Sequence, residues 1–278
     1  MPLLKDQAIV LRQLDYSETS QVLATLTRAH GPRRLMAKGV KRSTQKGKPS
    51  SSIDLLEHGE LVFLHRPQQA EGLALLTEWR QLNAYLGLRN NLAAWYAGQY
   101  VAEVTAAMTE EGDPHPELFD ALVALLTVLA EERTTLEEQT PLESSPPISQ
   151  PPTSPSIVSS SLVSSSIALP ALIAYQRALL VETGWWPDLN RCMLCDRSAP
   201  SGRAGYYAAV QGGLVCRQCE PRVAVKRYMT AVALDAWRSQ QFNDVDAASA
   251  ELIFAAMDET IGTAIGRQTR MGSHIVKS

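Results

Sequence analysis

Long apolar runs are missing from this chain. Nowhere among its 278 residues is there a stretch of the roughly 18 apolar residues that a membrane-spanning helix needs. The longest candidate, Leu118 to Ala130, is interrupted by Asp120. The opening Met1-Pro2-Leu3-Leu4-Lys5-Asp6 has neither the basic start nor the apolar core of a secretion signal. No membrane partner is expected. Histidine is also sparse: His30, His58, His65, His115 and His274 are scattered, with no His-x-x-x-His pair, so the usual helical zinc-protease arrangement is excluded. There is no G-x-x-x-x-G-K-S/T loop to cradle a nucleotide and no G-x-S-x-G elbow to hold a nucleophile. Glu131-Glu132 and Glu137-Glu138 read as solvated carboxylates at a helix end and a linker rather than an acid–base pair. The expectation is a protein that is not an enzyme. Hydrophobic residues at 45% against 20% charged still allow a large core.

Charge is low in total and uneven in place. The net charge is -3, which by itself does not suggest a polyanion partner. Yet from Arg28 to Ile53 there are eight cations, Arg28, Arg33, Arg34, Lys38, Lys41, Arg42, Lys46 and Lys48, and no acid. The remaining 18 Lys and Arg face all 29 acids. One cationic segment on an acidic chain suggests one docking place for an anion. A merely solubilising loop is the plain alternative.

Only four cysteines occur, and they fall in one window: Cys192, Cys195, Cys216 and Cys219. Each C-x-x-C forms a tight knuckle that aims two thiolates at one point. Two knuckles complete a tetrahedron around Zn²⁺. Disulfides are disfavoured where the compartment keeps thiols reduced, and a redox C-x-x-C needs only one pair. Four thiolates leave no open coordination position, so a single structural zinc is expected. Arg191, Arg197, Arg217 and Arg222 lie nearby. They could offset the thiolate charge, sit in solvent or touch phosphate, and the sequence leaves all three open.

Residues 1–82 read as β. Ala8–Leu11, Gln21–Thr27, Arg34–Val40, Leu61–Leu64 and Leu73–Leu76 are short apolar runs set off by glycine or by His30-Gly31-Pro32. Five such strands fit an OB barrel, with an SH3-like barrel as the alternative. Residues 83–139 turn helical: Leu88, Leu92, Trp95, Tyr96, Tyr100 and Val104 recur at three and four. Pro116 suits a first helical position ahead of Phe119, Leu122, Leu125, Leu126 and Leu129. Residues 140–167 are a Ser/Pro-rich flexible insertion; 17 of the 27 positions from 140 to 166 are Ser or Pro.

Helix resumes over 168–189, with Gly184 as its stop. The zinc module spans 190–220, with a hairpin from Tyr206–Val210 and Gly212-Gly213-Leu214. Residues 221–270 are helical, with Thr230 as an N-cap, in one stretch from about 230 to 266. The end from Arg267, including the tail 271–278, is expected to fray. If the two helical stretches pack together, the insertion interrupts one domain. The fold class is thus α+β and multidomain: a five-stranded OB-like barrel, then a mainly α-helical domain carrying a four-cysteine zinc module.

The basic segment matches that barrel. On a strand from Arg34, alternation puts Arg34, Met36 and Lys38 on one face and Leu35, Ala37 and Gly39 on the other. Lys41, Arg42, Lys46 and Lys48 follow on a loop that Gly47 and Pro49 keep irregular. Such cations bind phosphate without reading sequence. Arg33, Arg34, Lys38, Lys41, Arg42, Lys46 and Lys48 are the candidate nucleic-acid ligands. Tyr16, Phe63 and Trp79 could stack on bases, though core packing is the expected role of each. Trp185-Trp186 is expected to pack at a domain seam.

In its order of motifs the chain resembles the bacterial recombination mediator family RecO. Ala8-Ile9-Val10-Leu11, Asp15-Tyr16-Ser17-Glu18 and Ala37-Lys38-Gly39-Val40-Lys41-Arg42 look like that family's opening. Leu179-Leu180, Gly184, Pro187, Leu189, Cys192 and Cys195, then Gly212-Gly213-Leu214-Val215-Cys216 and Cys219, follow its later pattern. The likeness covers most of residues 1–135 and 168–235. It implies binding of single- and double-stranded DNA, strand annealing, and partnership with RecR and the single-stranded-DNA-binding protein in loading recombinase at gaps, in the bacterial cytoplasm at the nucleoid. Asp196 stands where the family commonly has Gly, so the knuckle turn is expected to differ. The Ser/Pro segment is longer than the family's.

Three other readings compete. One is an RNA- or ribosome-associated zinc protein with an OB module. Another is a scaffold whose barrel binds protein only. The third, a catalytic zinc enzyme, is disfavoured by the four thiolates.

Overall fold

A computed structural model of the chain describes residues 2–39, 52–64, 72–131 and 168–276. The loop with Lys41, Arg42, Lys46 and Lys48 and the Ser/Pro insertion lie outside the described residues.

The first five strands, β1 (Leu3–Asp15), β2 (Gln21–Thr27), β3 (Gly31–Ala37), β4 (His58–Leu64) and β5 (Leu73–Asn83), close a barrel in the order β1-β2-β3-β5-β4. β1 is long because it serves two neighbours: its start pairs with β4 and its end with β2. β3 and β5 run parallel and the other ladders are antiparallel. This is the OB arrangement.

The apolar run Ala8-Ile9-Val10-Leu11 is buried on both faces. Ala8 and Val10 join Leu23, Leu35, Leu61, Phe63 and Leu76 inside the barrel, while Ile9 and Leu11 point outward into the core of the helices. The alternation read from Arg34 holds: Leu35 and Ala37 are buried and Arg34 and Lys38 are exposed. Phe63 is a core residue. Tyr16, expected to pack, is 70% exposed instead, because it lies in the turn after β1 beyond the last inward-facing position.

The helical body contains α1 (Gly87–Asn90), α2 (Leu92–Met108), α3 (Pro116–Glu131), α4 (Ala168–Glu182), α5 (Ala231–Ser239), α6 (Ala247–Ile265) and α7 (Gly272–Ile275). Asn91 caps α2 by accepting from the Ala93 and Ala94 N–H groups. Pro116 opens α3 as its fixed φ favours. α3 and α4 bury Leu122, Leu125, Leu129, Leu172 and Leu179 in one core, so the helical stretches on either side of the undescribed segment pack together. Gly184 ends α4 in the left-handed region, φ +75°, and Trp185 N–H closes the turn on Leu180 O at 2.8 Å.

Two expectations need correction. The stretch 230–266 is two helices. Thr230 caps the first as expected, but Gln240 adopts φ +58° and Asp246 starts a second helix by accepting from Ser249 N–H. Nor do residues 267–276 fray: Ile275 is 1% exposed. Glu103 holds Arg267 at 2.6 Å and accepts from the Arg270 and Met271 N–H groups. Thr269 Oγ1 donates to Asp258, and Asp258 accepts from Tyr100 Oη, to which Gln176 donates.

The barrel docks through β3 and the turn before α3. Gly112 N–H donates to Pro32 O at 3.1 Å, and a Cβ on Gly31 would lie 2.2 Å from Asp113 O. Gly31 has φ +70°. Only glycine meets both constraints. Among the described residues no helix is long and apolar enough to cross a membrane.

Candidate metal centre and nucleic-acid interface

The four cysteines come together because two strands bring their knuckles side by side. β6 (Asp188–Cys192) lies parallel to β8 (Gly213–Val215), with Cys192 opposite Leu214. β7 (Gly205–Ala208) pairs antiparallel with β8, giving the expected hairpin, and β9 (Arg227–Met229) completes a four-stranded sheet, β6-β8-β7-β9. The module is therefore larger than 190–220. Each knuckle turns just past its strand: Asp196 N–H returns to Cys192 O at 2.9 Å, and Cys219 N–H to Cys216 O at 2.9 Å.

All four sulfurs lie within 4.8 Å of one another. Cys195 Sγ and Cys216 Sγ are 3.7 Å apart. A tetrahedron with metal–sulfur bonds of about 2.3 Å has sulfur–sulfur edges of about 3.8 Å. The set thus fits one metal ion, and all four cysteines are free.

The protonation balance points the same way. Burial opposes ionisation of Cys192, but N–H groups of Cys216, Leu194 and Cys195 outweigh it and bring the thiol down to about 6. Burial and the three neighbouring thiols push Cys219 up to about 12. Four sulfurs this close ionise together only with a cation among them.

Asp196 shows how the knuckle tolerates a residue where glycine is usual. Its φ is +58°, the left-handed region that Asp visits more readily than most residues. Its carboxylate accepts from Arg191 at 3.2 Å, and Arg191 also donates to Asp188 at 2.8 Å. The Asp196 N–H bond to Cys192 O closes the turn in this left-handed conformation. Arg191 is thereby committed to carboxylates. Arg197, Arg217 and Arg222 are exposed and make no ion pair among the described residues.

The basic segment is divided by the fold. Arg28 grips Asp120 on α3 with two hydrogen bonds, 2.9 and 2.7 Å. Arg34 reaches Glu111 at 3.3 Å while staying largely exposed. Arg33 falls on the opposite phase of β3 from Arg34, and its guanidinium lies beside Gly112 in the seam. Lys38 is exposed and has no acidic partner among the described residues. A window free of acids in sequence is thus not free of acids in space, because the turn before α3 and α3 itself supply them.

Sequence reading also missed a cation. Arg12 on β1 is opposite Ala24, and Ala24 is opposite Arg34, so the two arginines share a row across three strands. Leu14, Val22 and Met36 form the next such row. Extending the β1 alternation past Leu11 would have been misled by a bulge between Val10 and Arg12, which shifts the phase. Of the candidate stacking rings, Tyr16 is open to solvent and Trp79 is half-buried against the barrel core. Trp186 packs edge-on against Trp237, whereas Trp185 is 44% exposed.

Residues 1–85 match the family model described as Recombination protein O N terminal, and residues 89–140 and 162–269 match Recombination protein O C terminal. The chain is similar to proteins named DNA repair protein RecO. With that of Rhodopirellula baltica it is 30% identical over 234 residues, 83% of this chain and 72% of the relative. With that of Bacillus subtilis it is 27% identical over 219 residues, 78% and 69%. With that of Streptomyces avermitilis it is 26% identical over 252 residues, 89% and 87%.

Proposed function

Since this chain belongs to the RecO family, we propose that it is a DNA repair and homologous-recombination mediator. It binds single- and double-stranded DNA, anneals complementary strands and, with RecR and the single-stranded-DNA-binding protein, helps load recombinase at gaps. It works in the bacterial cytoplasm at the nucleoid and does so without catalysing a reaction.

The observation that carries this reading is the outward face of the barrel. Arg12, Arg34 and Lys38 border an aliphatic strip of Ala24, Val22, Met36 and Leu14. Cations hold the phosphates and release counterions, while the aliphatic strip and exposed Tyr16 accept bases without choosing among them. Lys41, Arg42, Lys46 and Lys48 follow Lys38 in the sequence and add four more cations. Two strands being paired repel one another, and a cationic face shared between them lowers that repulsion.

The metal is Zn²⁺, held by Cys192, Cys195, Cys216 and Cys219. It supplies cross-linking of the β6–β9 sheet rather than chemistry, because four thiolates fill its coordination shell.

The test is annealing of complementary oligonucleotides coated with single-stranded-DNA-binding protein, run beside a structured RNA of equal length. Accelerated annealing with no preference for the RNA supports the proposal. No annealing with tight RNA binding overturns it.

A further inference from the structure

A large recess lies between the barrel and the helical body. Its volume is about 1390 Å³, above the ~300–1,000 Å³ usual for small-molecule pockets, so its size suits a macromolecular occupant. The barrel contributes Arg12 and Gln13, and the helical side contributes Arg89, Trp95, Arg267 and Arg270.

Four guanidinium groups meet two carboxylates in this recess. Asp54 holds Arg89 at 2.6 Å, and Glu103 holds Arg267 at 2.6 Å. Those pairs fix two cations in place. Glu103 is further neutralised by the Arg270 and Met271 N–H groups. Arg12 and Arg270 are exposed and make no ion pair among the described residues. The excess positive charge is therefore available, and it sits on opposite walls. Half-buried Trp95 offers an aromatic ring in the same recess.

Arg12 belongs to two surfaces. It lines the recess and also stands in register, through Ala24, with Arg34 on the barrel face. With strands about 4.8 Å apart, Arg12 and Arg34 are about 10 Å apart across the sheet. The barrel face and the recess are thus joined without a break in charge. A short acidic peptide would be served by the recess alone. A continuous path of cations with an aromatic ring suits a long polyanion with a ring on every unit.

We propose that the recess is a second segment of the nucleic-acid path, in which a single strand leaving the β1–β2–β3 face runs past Arg12 to Arg270, with a base against Trp95. This rests on the reading that the barrel face carries nucleic acid, and the experiment separates the two.

The variants are Arg270→Ala, Arg12→Ala/Arg270→Ala, the charge-keeping Arg12→Lys/Arg270→Lys, and Lys38→Ala on the barrel face. The probe is an oligothymidine of about 40 nucleotides, longer than the ~4–16 that one OB fold covers, titrated from about 50 to about 200 mM salt. Removing one cation that touches phosphate lowers the log–log slope on single strands by about 0.7. The Arg270→Ala slope should fall by that amount and the double alanine slope by about 1.4. The loss of affinity across that fourfold salt range then shrinks by about sevenfold for the double variant. The lysine pair should restore the slope, which a merely misfolded recess would not do.

If Arg270→Ala keeps the full slope and affinity while Lys38→Ala lowers them, the recess is not on the path and the barrel reading stands. If Lys38→Ala is also without effect, both readings fail. If the double alanine variant binds the oligomer normally but loses binding to a polyglutamate peptide, the recess takes an acidic protein segment and the proposal is overturned.

Discussion

Arg28 and Asp120 form a two-pronged ion pair, 2.9 and 2.7 Å, that ties the β2–β3 turn to helix α3. The hydrogen bonds and charge of Asp120 raise the Arg28 pKa, and those of Arg28 lower that of Asp120. Both side chains face solvent, so the clasp orients the barrel more than it stabilises the fold. Arg28 is therefore a seam residue although it opens the cationic window. Arg28→Ala should leave the salt dependence of single-strand binding unchanged, whereas Lys38→Ala should lower the log–log slope by about 0.7. Anisotropy titrations of the two variants side by side check this.

Gly31 carries the docking of the barrel. Its φ of +70° and the 2.2 Å approach of Asp113 O to a built Cβ leave no room for a side chain. Gly31→Ala should cost about 2 kcal/mol of stability, from left-handed strain and displacement of the turn. Gly184→Ala is the comparison: φ is +75° but nothing lies within 4 Å of its Cβ, so about 1 kcal/mol is expected. Urea unfolding of the two variants measures the difference.

Asp196 holds its left-handed turn with help from Arg191. Asp196→Gly should retain the metal with little change in stability. Asp196→Val should destabilise the knuckle, since a β-branched residue resists positive φ. Metal content per chain after gel filtration reads the outcome.

Cys216→Ser should lower bound zinc below one per chain and loosen the helical domain, while the barrel still binds DNA weakly. Structural zinc contributes on the order of 10 kcal/mol to folding of such modules. Because the ligands must be deprotonated, zinc should also be released as pH falls. One zinc per chain retained in Cys216→Ser at neutral pH refutes this ligand set.

Asp258 is held by Tyr100 and Thr269. Burial raises its pKa above the usual carboxylate value; the hydrogen bonds from Thr269 and Tyr100 pull it back, and Glu103 and Glu259 add to the rise. A raised native pKa means the folded state favours the proton, so this contribution is present at low pH and lost as pH rises through the native value. Asp258→Asn should therefore gain stability relative to the parent between acid and neutral pH. Thermal melts across that range test the sign.

What the sequence shows and what it hides divide on physical lines. The two-residue period of β3 and the spacing of the four cysteines are local, and both hold in space. The Thr230 cap and the Gly184 stop are also local chemistry. Long-range facts were not readable. The break between α5 and α6 rests on the left-handed backbone of Gln240, a residue type that does not itself mark a helix end. The docking of Ile275 depends on Glu103 and Asp258, distant in sequence. The window from Arg28 to Ile53 looks free of acids only until folding brings Asp120 and Glu111 beside it.

The most direct test compares the parent chain with a Lys38→Ala/Lys41→Ala/Arg42→Ala/Lys46→Ala variant in single-strand binding across salt. Removing four phosphate-binding cations lowers the log–log slope by about 2.8 and weakens binding at every salt concentration. Unchanged slope and affinity in that variant would contradict the claim that these cations grip the strand.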